Sequence, residues 1–308
     1  VLLICCFDYR HLEHFAYFGY AVTIGMLVFV LVMGKTSMGA TRWINLGFFN
    51  LQPSEVIKIV MILLLARIFG RTAQPDGYRL AELWQPAFFL LLPVGLILKQ
   101  PDLGTALMAI FISVSMLIFA GLQRSTTWLL CVLGVAAVAA GWFGLHDYQR
   151  ARIQTFLDPE ADPLGSGYHI IQSKIAVGSG GFFGKGFLQG TQSQLSFLPE
   201  RHTDFAFSVF AEEWGFVGCS LLLFGYMFLI LWGIYIARRA ADRFGMFLAI
   251  GVTAMIFWHI VVNLGMVIGL LPVVGVPLPL FSYGGTSMVT TMIGIGLLMN
   301  VSMRRFMF

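Results

Sequence analysis

The sequence predicts an all-α, polytopic membrane protein, and three observations carry that prediction. Hydrophobic residues fill 58% of the 308 positions and charged residues only 11%, where a soluble domain carries roughly 25%. Apolar runs repeatedly reach the length of about 18–20 residues that a helix needs to cross a bilayer. The basic residues between those runs collect in alternate loops, as they do when helices pass back and forth through a membrane. The net charge of +4 therefore reflects topology, and no nucleic-acid partner is expected.

In chain order, a stub at 1–7 precedes eight expected spans, at about 14–34, 54–70, 84–99, 103–121, 127–146, 205–237, 245–270 and 286–303. The stretch 205–237 is too long for one simple crossing. Gly215 and Gly218 would permit a bend there, with the first part lying partly embedded. The chain opens on Val1 inside an apolar stretch too short to span, so a missing N-terminal part is expected. Residues 1–308 read as one integral membrane domain. If Arg304 and Arg305 are cytoplasmic, then Arg10, Arg67, Arg71, Arg79, Arg124, Arg238, Arg239 and Arg243 share their side, while the opposite short loops hold only Lys35, Arg42 and Lys99. The long loop 147–204 then faces away from the cytoplasm. Aromatic and aliphatic residues run through it, so a folded cap is expected, with YHIIQSKIAV at 168–177 as a short amphipathic helix on the membrane surface. The uncharged stretch LPVVGVPLPLFSYGGTS at 271–287 reads as a tightly packed or re-entrant loop at the outer mouth, because non-helical backbone at membrane depth needs shelter.

Several motifs invite a chemical reading. The stretch GSGGFFGKG at 178–186 fails as a nucleotide loop, since Ser179 stands where the first glycine is required and Gly186 follows Lys185. Tight backbone turns account for it. In LQPSEVIK, Pro53 and Ser54 look like a helix start, with Ser54 as cap and Glu55 at the positive dipole end. Lys58 follows one turn after Glu55, so the two can pair. A lysine one turn into a span is costly unless it faces a polar cavity, and a paired lysine there could hold a cation ready for an anionic substrate. Asp102 resembles the cap of the span beginning at Leu103. Arg42 and Arg201 are on the outer face. Glu212 and Glu213 point in different directions around one helix, and which faces a polar interior is not readable from their order. His259 and Asn263 are an i, i+4 pair deep in a span, suited to interhelical hydrogen bonding. Asp204 enters the membrane beside His202 and Thr203 and is, by position alone, an ordinary cap for the helix expected from Phe205. Cys5, Cys6, Cys131 and Cys219 have no disulfide or zinc spacing.

Taken together, GATRWINLG, LQPSEVIK, QPDLGTA, HDYQRARI, LDPEADPLGSGYHIIQSKIAVGSGG, GTQSQLSFLPERHTDFAFSVFAEEWG and LPVVGVPLPLFSYGGTS resemble the SEDS family of bacterial cell-wall proteins, its RodA branch above all. They stand in the family's order from about residue 39 to the end. The resemblance implies a ten-helix fold, of which this chain would lack the first helix and most of the second. It implies a glycosyltransferase of cell elongation in the bacterial inner membrane. Such an enzyme polymerises lipid II, a disaccharide-peptide on undecaprenyl pyrophosphate, beside a class B penicillin-binding protein. The family's essential aspartate corresponds to Asp204 within His202-Thr203-Asp204-Phe205, and its paired glutamate and lysine correspond to Glu55 and Lys58.

The implied chemistry suits these residues. An acceptor hydroxyl attacks the anomeric carbon and pyrophosphate departs, a leaving group that needs no acid. One general base then suffices, and Asp204 is the candidate. Charge growing on the pyrophosphate calls for preorganised cations. Lys58 and Arg201 are the first candidates, with Arg42 and Lys174 after them and Asp102 as a further substrate contact. A divalent ion, magnesium or manganese, could share that work, although no cluster has metal-ligand spacing. Two other readings compete: a lipid II flippase, and a scaffold that recruits the penicillin-binding partner without catalysis.

Overall fold

The computed structural model describes residues 1–33, 35–37, 40–45, 50–72, 74, 76–144, 147–159, 166–191 and 202–306. Among them are eleven α-helices: α1 Leu2–Cys6, α2 Tyr9–Met33, α3 Pro53–Arg71, α4 Trp84–Lys99, α5 Leu103–Ala120, α6 Arg124–Gly144, α7 Asp147–Leu157, α8 Ser166–Ser179, α9 Ala206–Arg238, α10 Arg243–Val267 and α11 Gly285–Met303. Helices α2 to α6 and α9 to α11 lie, within a few residues, on the eight stretches expected to span. Five of these (α2, α5, α9, α10 and α11) are long and apolar enough to cross a membrane, while α4 and the first part of α6 are shorter apolar helices. Three short strands were not expected: β1 Lys35–Ser37, β2 Ala40–Asn45 and β3 Asn50–Leu51, antiparallel in that order. The β-branched and aromatic residues Thr41, Trp43 and Ile44 favour extended backbone, a signal that the surrounding hydropathy hides.

Two compact units emerge. The first comprises 1–127, 229–258 and 285–308, and α3 is its centre. This helix packs against α2, α4, α5 and α11, so residues all around it are buried, from Ser54 and Ile57 to Leu65 and Phe69. Its middle, from Ile59 to Ala66, is apolar on every side, as suits a helix in such an interior. The start of α3 differs from the expected one. Pro53, not Ser54, opens the helix, and Gln52 takes the capping position. Proline's fixed φ suits the first helical residue, where the missing N–H has no partner to lose. That frees the Ser54 hydroxyl for another bond.

The second unit comprises 128–228 and 259–284. Within it, α8 covers the helix expected at 168–177, inside the 147–204 loop. Its buried Ser173 donates to the carbonyl of Val267 at 2.7 Å and shares a 2.8 Å bond with the Ser208 hydroxyl. That tie fastens α8 to the start of α9 and the end of α10. Helix α10 closes with Gly269 at φ +73°, where the N–H groups of Gly269 and Leu270 reach back to the carbonyls of Met266 and Gly265. This paired ending needs a left-handed residue, and glycine takes that conformation without penalty. The following stretch is packed tightly, as expected: Val276 and Leu278 are buried, the Tyr226 hydroxyl donates to the Pro279 carbonyl, and Leu278 exchanges bonds with Ser282.

Helix α9 breaks at Gly215, whose φ of 62° and ψ of −161° lie in a region that essentially only glycine enters. The break costs two helical rungs, from Phe216 N–H to Glu212 and from Val217 N–H to Glu213. The glycine stretch replaces both. Lys185 N–H and Gly186 N–H donate to the carbonyls of Glu212 and Glu213, each at 3.0 Å. Phe216 N–H and Val217 N–H donate to the carbonyls of Gly181 and Phe182, at 2.9 and 3.1 Å. So close an approach leaves no room for side chains: a Cβ at Gly180 would meet the Ala211 carbonyl, and one at Gly184 the Glu213 carbonyl.

Candidate functional site

The described polar residues picked out in the sequence lie in both units, with Glu55, Lys58 and Asp102 in the first and Lys174, Asp204, Glu212 and Glu213 in the second. In the first unit, Asp102 caps α5, accepting from the Thr105 N–H at 3.2 Å and the Thr105 hydroxyl at 2.9 Å. Its Oδ2 also receives the Gln52 amide at 3.1 Å and the Ser54 hydroxyl at 3.4 Å. One buried carboxylate thus satisfies the start of α5 and ties it to the start of α3. The expected cap is found, and its reach to α3 is new.

One turn into α3, Lys58 Nζ lies 2.8 Å from Glu55 Oε1, with the lysine side chain only 1% exposed. The pairing foreseen from their spacing is present. A buried cation at this depth is sustained by a partnered carboxylate and further polar contact. The second carboxylate oxygen, Oε2, is buried without a hydrogen-bond partner among the described residues.

In the second unit, Asp204 sits half-buried in the turn that leads into α9. The carbonyl of Phe205 accepts from Ser208 and Val209 at the helix start, so Asp204 stands one residue outside the capping position expected for it. The helix begins one residue later than the apolar run suggested. Two bonds hold this turn: Tyr283 N–H donates to the His202 carbonyl at 2.8 Å, and Asn263 Nδ2 donates to the Asp204 carbonyl at 2.9 Å. The loop from 271 runs past the carboxylate so closely that a Cβ on Gly275, at φ +72°, would stand 3.3 Å from Asp204 Oδ2.

Lys174 is exposed on α8, its stem lying against Gly269. Arg42 belongs to β2, and its side chain falls outside the described residues, as does the whole of Arg201. Glu212 and Glu213 are both buried, and Glu212 is the one in a polar network, with Lys185 Nζ at 2.7 Å and the Thr191 hydroxyl at 3.0 Å. Among the described residues no three His, Cys, Asp or Glu side chains converge to hold a metal ion, so they offer no ready cage for a divalent cation. Sequence reasoning flagged Asn263 for hydrogen bonding but missed its partners, because both are backbone carbonyls.

Comparison with known proteins agrees with the motif order. The family model FTSW_RODA_SPOVE, described as cell cycle protein, matches residues 1–306. The peptidoglycan glycosyltransferase MrdB of Escherichia coli (strain K12) is 47% identical over 299 residues, covering 97% of this chain and 80% of the relative. Its namesake in Helicobacter pylori (strain ATCC 700392 / 26695) is 40% identical over 305 residues, covering 97% and 78%. A solved structure described as "Structural coordination of polymerization and crosslinking by a peptidoglycan synthase complex" aligns with a TM-score of 0.84 at 37% identity, covering 100% of this chain and 86% of that one. The crystal structure of the Thermus thermophilus rod shape determining protein RodA aligns with a TM-score of 0.72 at 31% identity, covering 100% and 84%.

Proposed function

The chain belongs to the cell cycle protein family FTSW_RODA_SPOVE, and from that membership we infer that it is a peptidoglycan glycosyltransferase set in a multi-pass membrane protein. The observation that carries this is its 47% identity, over 97% of its length, to a peptidoglycan glycosyltransferase.

The substrate on this reading is lipid II, presented on the extracytoplasmic side. The acceptor sugar's hydroxyl oxygen bonds to the donor's anomeric carbon while the bond from that carbon to the pyrophosphate oxygen breaks. Asp204 takes the hydroxyl proton, and the pyrophosphate leaves with the bonding electron pair and its lipid. The position of Asp204 outside the capping site, in a turn held by Asn263 and Tyr283, supports a role beyond ending a helix. Lys58, held ready by Glu55, is the first proposed cation for the substrate's phosphates, and Arg201, Arg42 and Lys174 are the further candidates. Asp102 acts through the helix starts that it ties together. The likeness to a peptidoglycan synthase complex that joins polymerization to crosslinking supports a class B penicillin-binding protein as partner.

The test is polymerisation of purified lipid II in detergent, where glycan chains register and lipid flipping does not. General-base catalysis is worth about 10²–10⁴-fold, so Asp204→Asn should lose activity by at least about 100-fold while remaining folded. Glycan synthesis by Asp204→Asn at the wild-type rate would remove the base assignment. A wild-type protein that makes no glycan would favour the transport or scaffold reading instead.

A further inference from the structure

Asn263 is wholly buried, at 0% exposure, near the end of α10. Its single amide nitrogen serves two separate segments, donating to the Asp204 carbonyl at 2.9 Å and to the Val276 carbonyl at 2.8 Å. Both neighbours are acceptors, so only the NH2 face of the amide can meet them, and both of its N–H bonds are used. The other end is sacrificed: Oδ1 is buried with no hydrogen-bond partner among the described residues. An unsatisfied buried acceptor is expensive, and a membrane interior offers little water to relieve it. An apolar residue would avoid that cost, though it would leave two carbonyls without their donor.

The two carbonyls belong to the segments that flank one carboxylate. Asp204 is the residue whose own carbonyl is gripped. Val276 adjoins Gly275, whose backbone passes beside Asp204 Oδ2. Asn263 is thus the joint that fixes the Asp204 main chain and the loop beside its carboxylate to one point on α10. Tyr283 N–H adds a second tie from the far end of that loop, to the His202 carbonyl.

We propose that Asn263 is a positioning residue for glycosyl transfer, setting the direction of the Asp204 carboxylate through its backbone and through the loop that walls it. This rests on the reading of Asp204 as the base. Asn263 is too deeply buried to touch substrate, so its effect falls on the chemical step. A misplacement of about 1 Å costs on the order of 100-fold in rate.

Three variants of the full chain, Asn263→Leu, Asn263→Ser and Asp204→Asn, are assayed for lipid II polymerisation, with kcat and KM separated and folding followed by thermal unfolding. Leucine removes both donors and keeps the branch at Cγ, at a larger volume. Serine can donate only one bond and creates no steric clash. The expected result for folded Asn263 variants is a fall in kcat of about 30-fold or more, on the scale of such a misplacement, with KM for lipid II essentially unchanged. A folded variant with near-wild-type kcat, or a loss confined to KM, overturns the inference. If neither Asn263 variant folds, the residue is a structural staple and the inference also fails. Asp204→Asn separates the two readings. Normal polymerisation by that variant removes the base assignment and this inference with it, whereas a dead Asp204→Asn beside fully active Asn263 variants removes only the positioning role.

Discussion

At the scale of single residues, the Glu55–Lys58 pair shows how one contact can serve stability and chemistry, and how to separate them. Removing one partner of a buried pair costs about 3–5 kcal/mol, whereas replacing both by apolar residues is often neutral. Glu55→Ala should therefore lower the thermal midpoint sharply, because Lys58 loses the carboxylate 2.8 Å away. The double variant Glu55→Leu/Lys58→Met should recover the midpoint while polymerisation stays lost. Recovery of both would reduce the pair to a structural device. Gly275→Ala offers a second test: its strained φ and the methyl group set 3.3 Å from Asp204 Oδ2 should depress kcat strongly, as read in the lipid II assay. The sequence made some of these roles legible and not others. Glu55 and Lys58 could be paired from their spacing, and Asp102 could be identified as a cap from the helix that follows it. The links from Asp102 to Gln52 and Ser54, and from Asn263 to Asp204, join residues about 50 or more positions apart. A main-chain carbonyl also leaves no mark on the sequence, because every residue has one.

Among the elements, hydropathy revealed the long helices and concealed what happens between them. The strands β1 to β3 are too short to alternate visibly. Gly215 was legible as a bend but not as a complete break, since the reason lies in the stretch 180–186, which supplies the missing rungs. One glycine inside this clasp and one just outside it make a paired prediction. Gly184→Ala places a Cβ against the Glu213 carbonyl at a φ of +81°, so it should destabilise the protein clearly in thermal unfolding. Gly178→Ala, inside α8 and with open space around its Cβ, should instead be neutral or stabilising by up to about 1 kcal/mol, the helix preference of alanine over glycine. Equal effects at the two positions would argue against the clasp.

For the whole molecule, composition alone was enough to give the class, because so few charges cannot cover a soluble surface. The division into two units was not legible, since boundaries fall inside helices: after Thr127 in α6, after Phe228 in the second part of α9 and after Trp258 in α10. Sidedness rests on the basic loops and can be read directly. In a cysteine-free background, Gln189→Cys should react with a membrane-impermeant maleimide applied to spheroplasts, and Arg79→Cys should react only after permeabilisation; both positions are exposed. The reverse pattern would invert the proposed topology. The broken helix α9 also has a consequence for how the chain is made. Residues 180–186 leave the ribosome before 206–238, so the backbone groups that complete the break are synthesised first. Broken without them, the helix would carry into the bilayer four unsatisfied groups, the carbonyls of Glu212 and Glu213 and the N–H groups of Phe216 and Val217, each costing several kcal/mol. Helix α9 can settle in its broken form only after the preceding loop has been delivered to the same side. A loop held back in the cytoplasm would leave that segment to close its own rungs and insert as a straight rod.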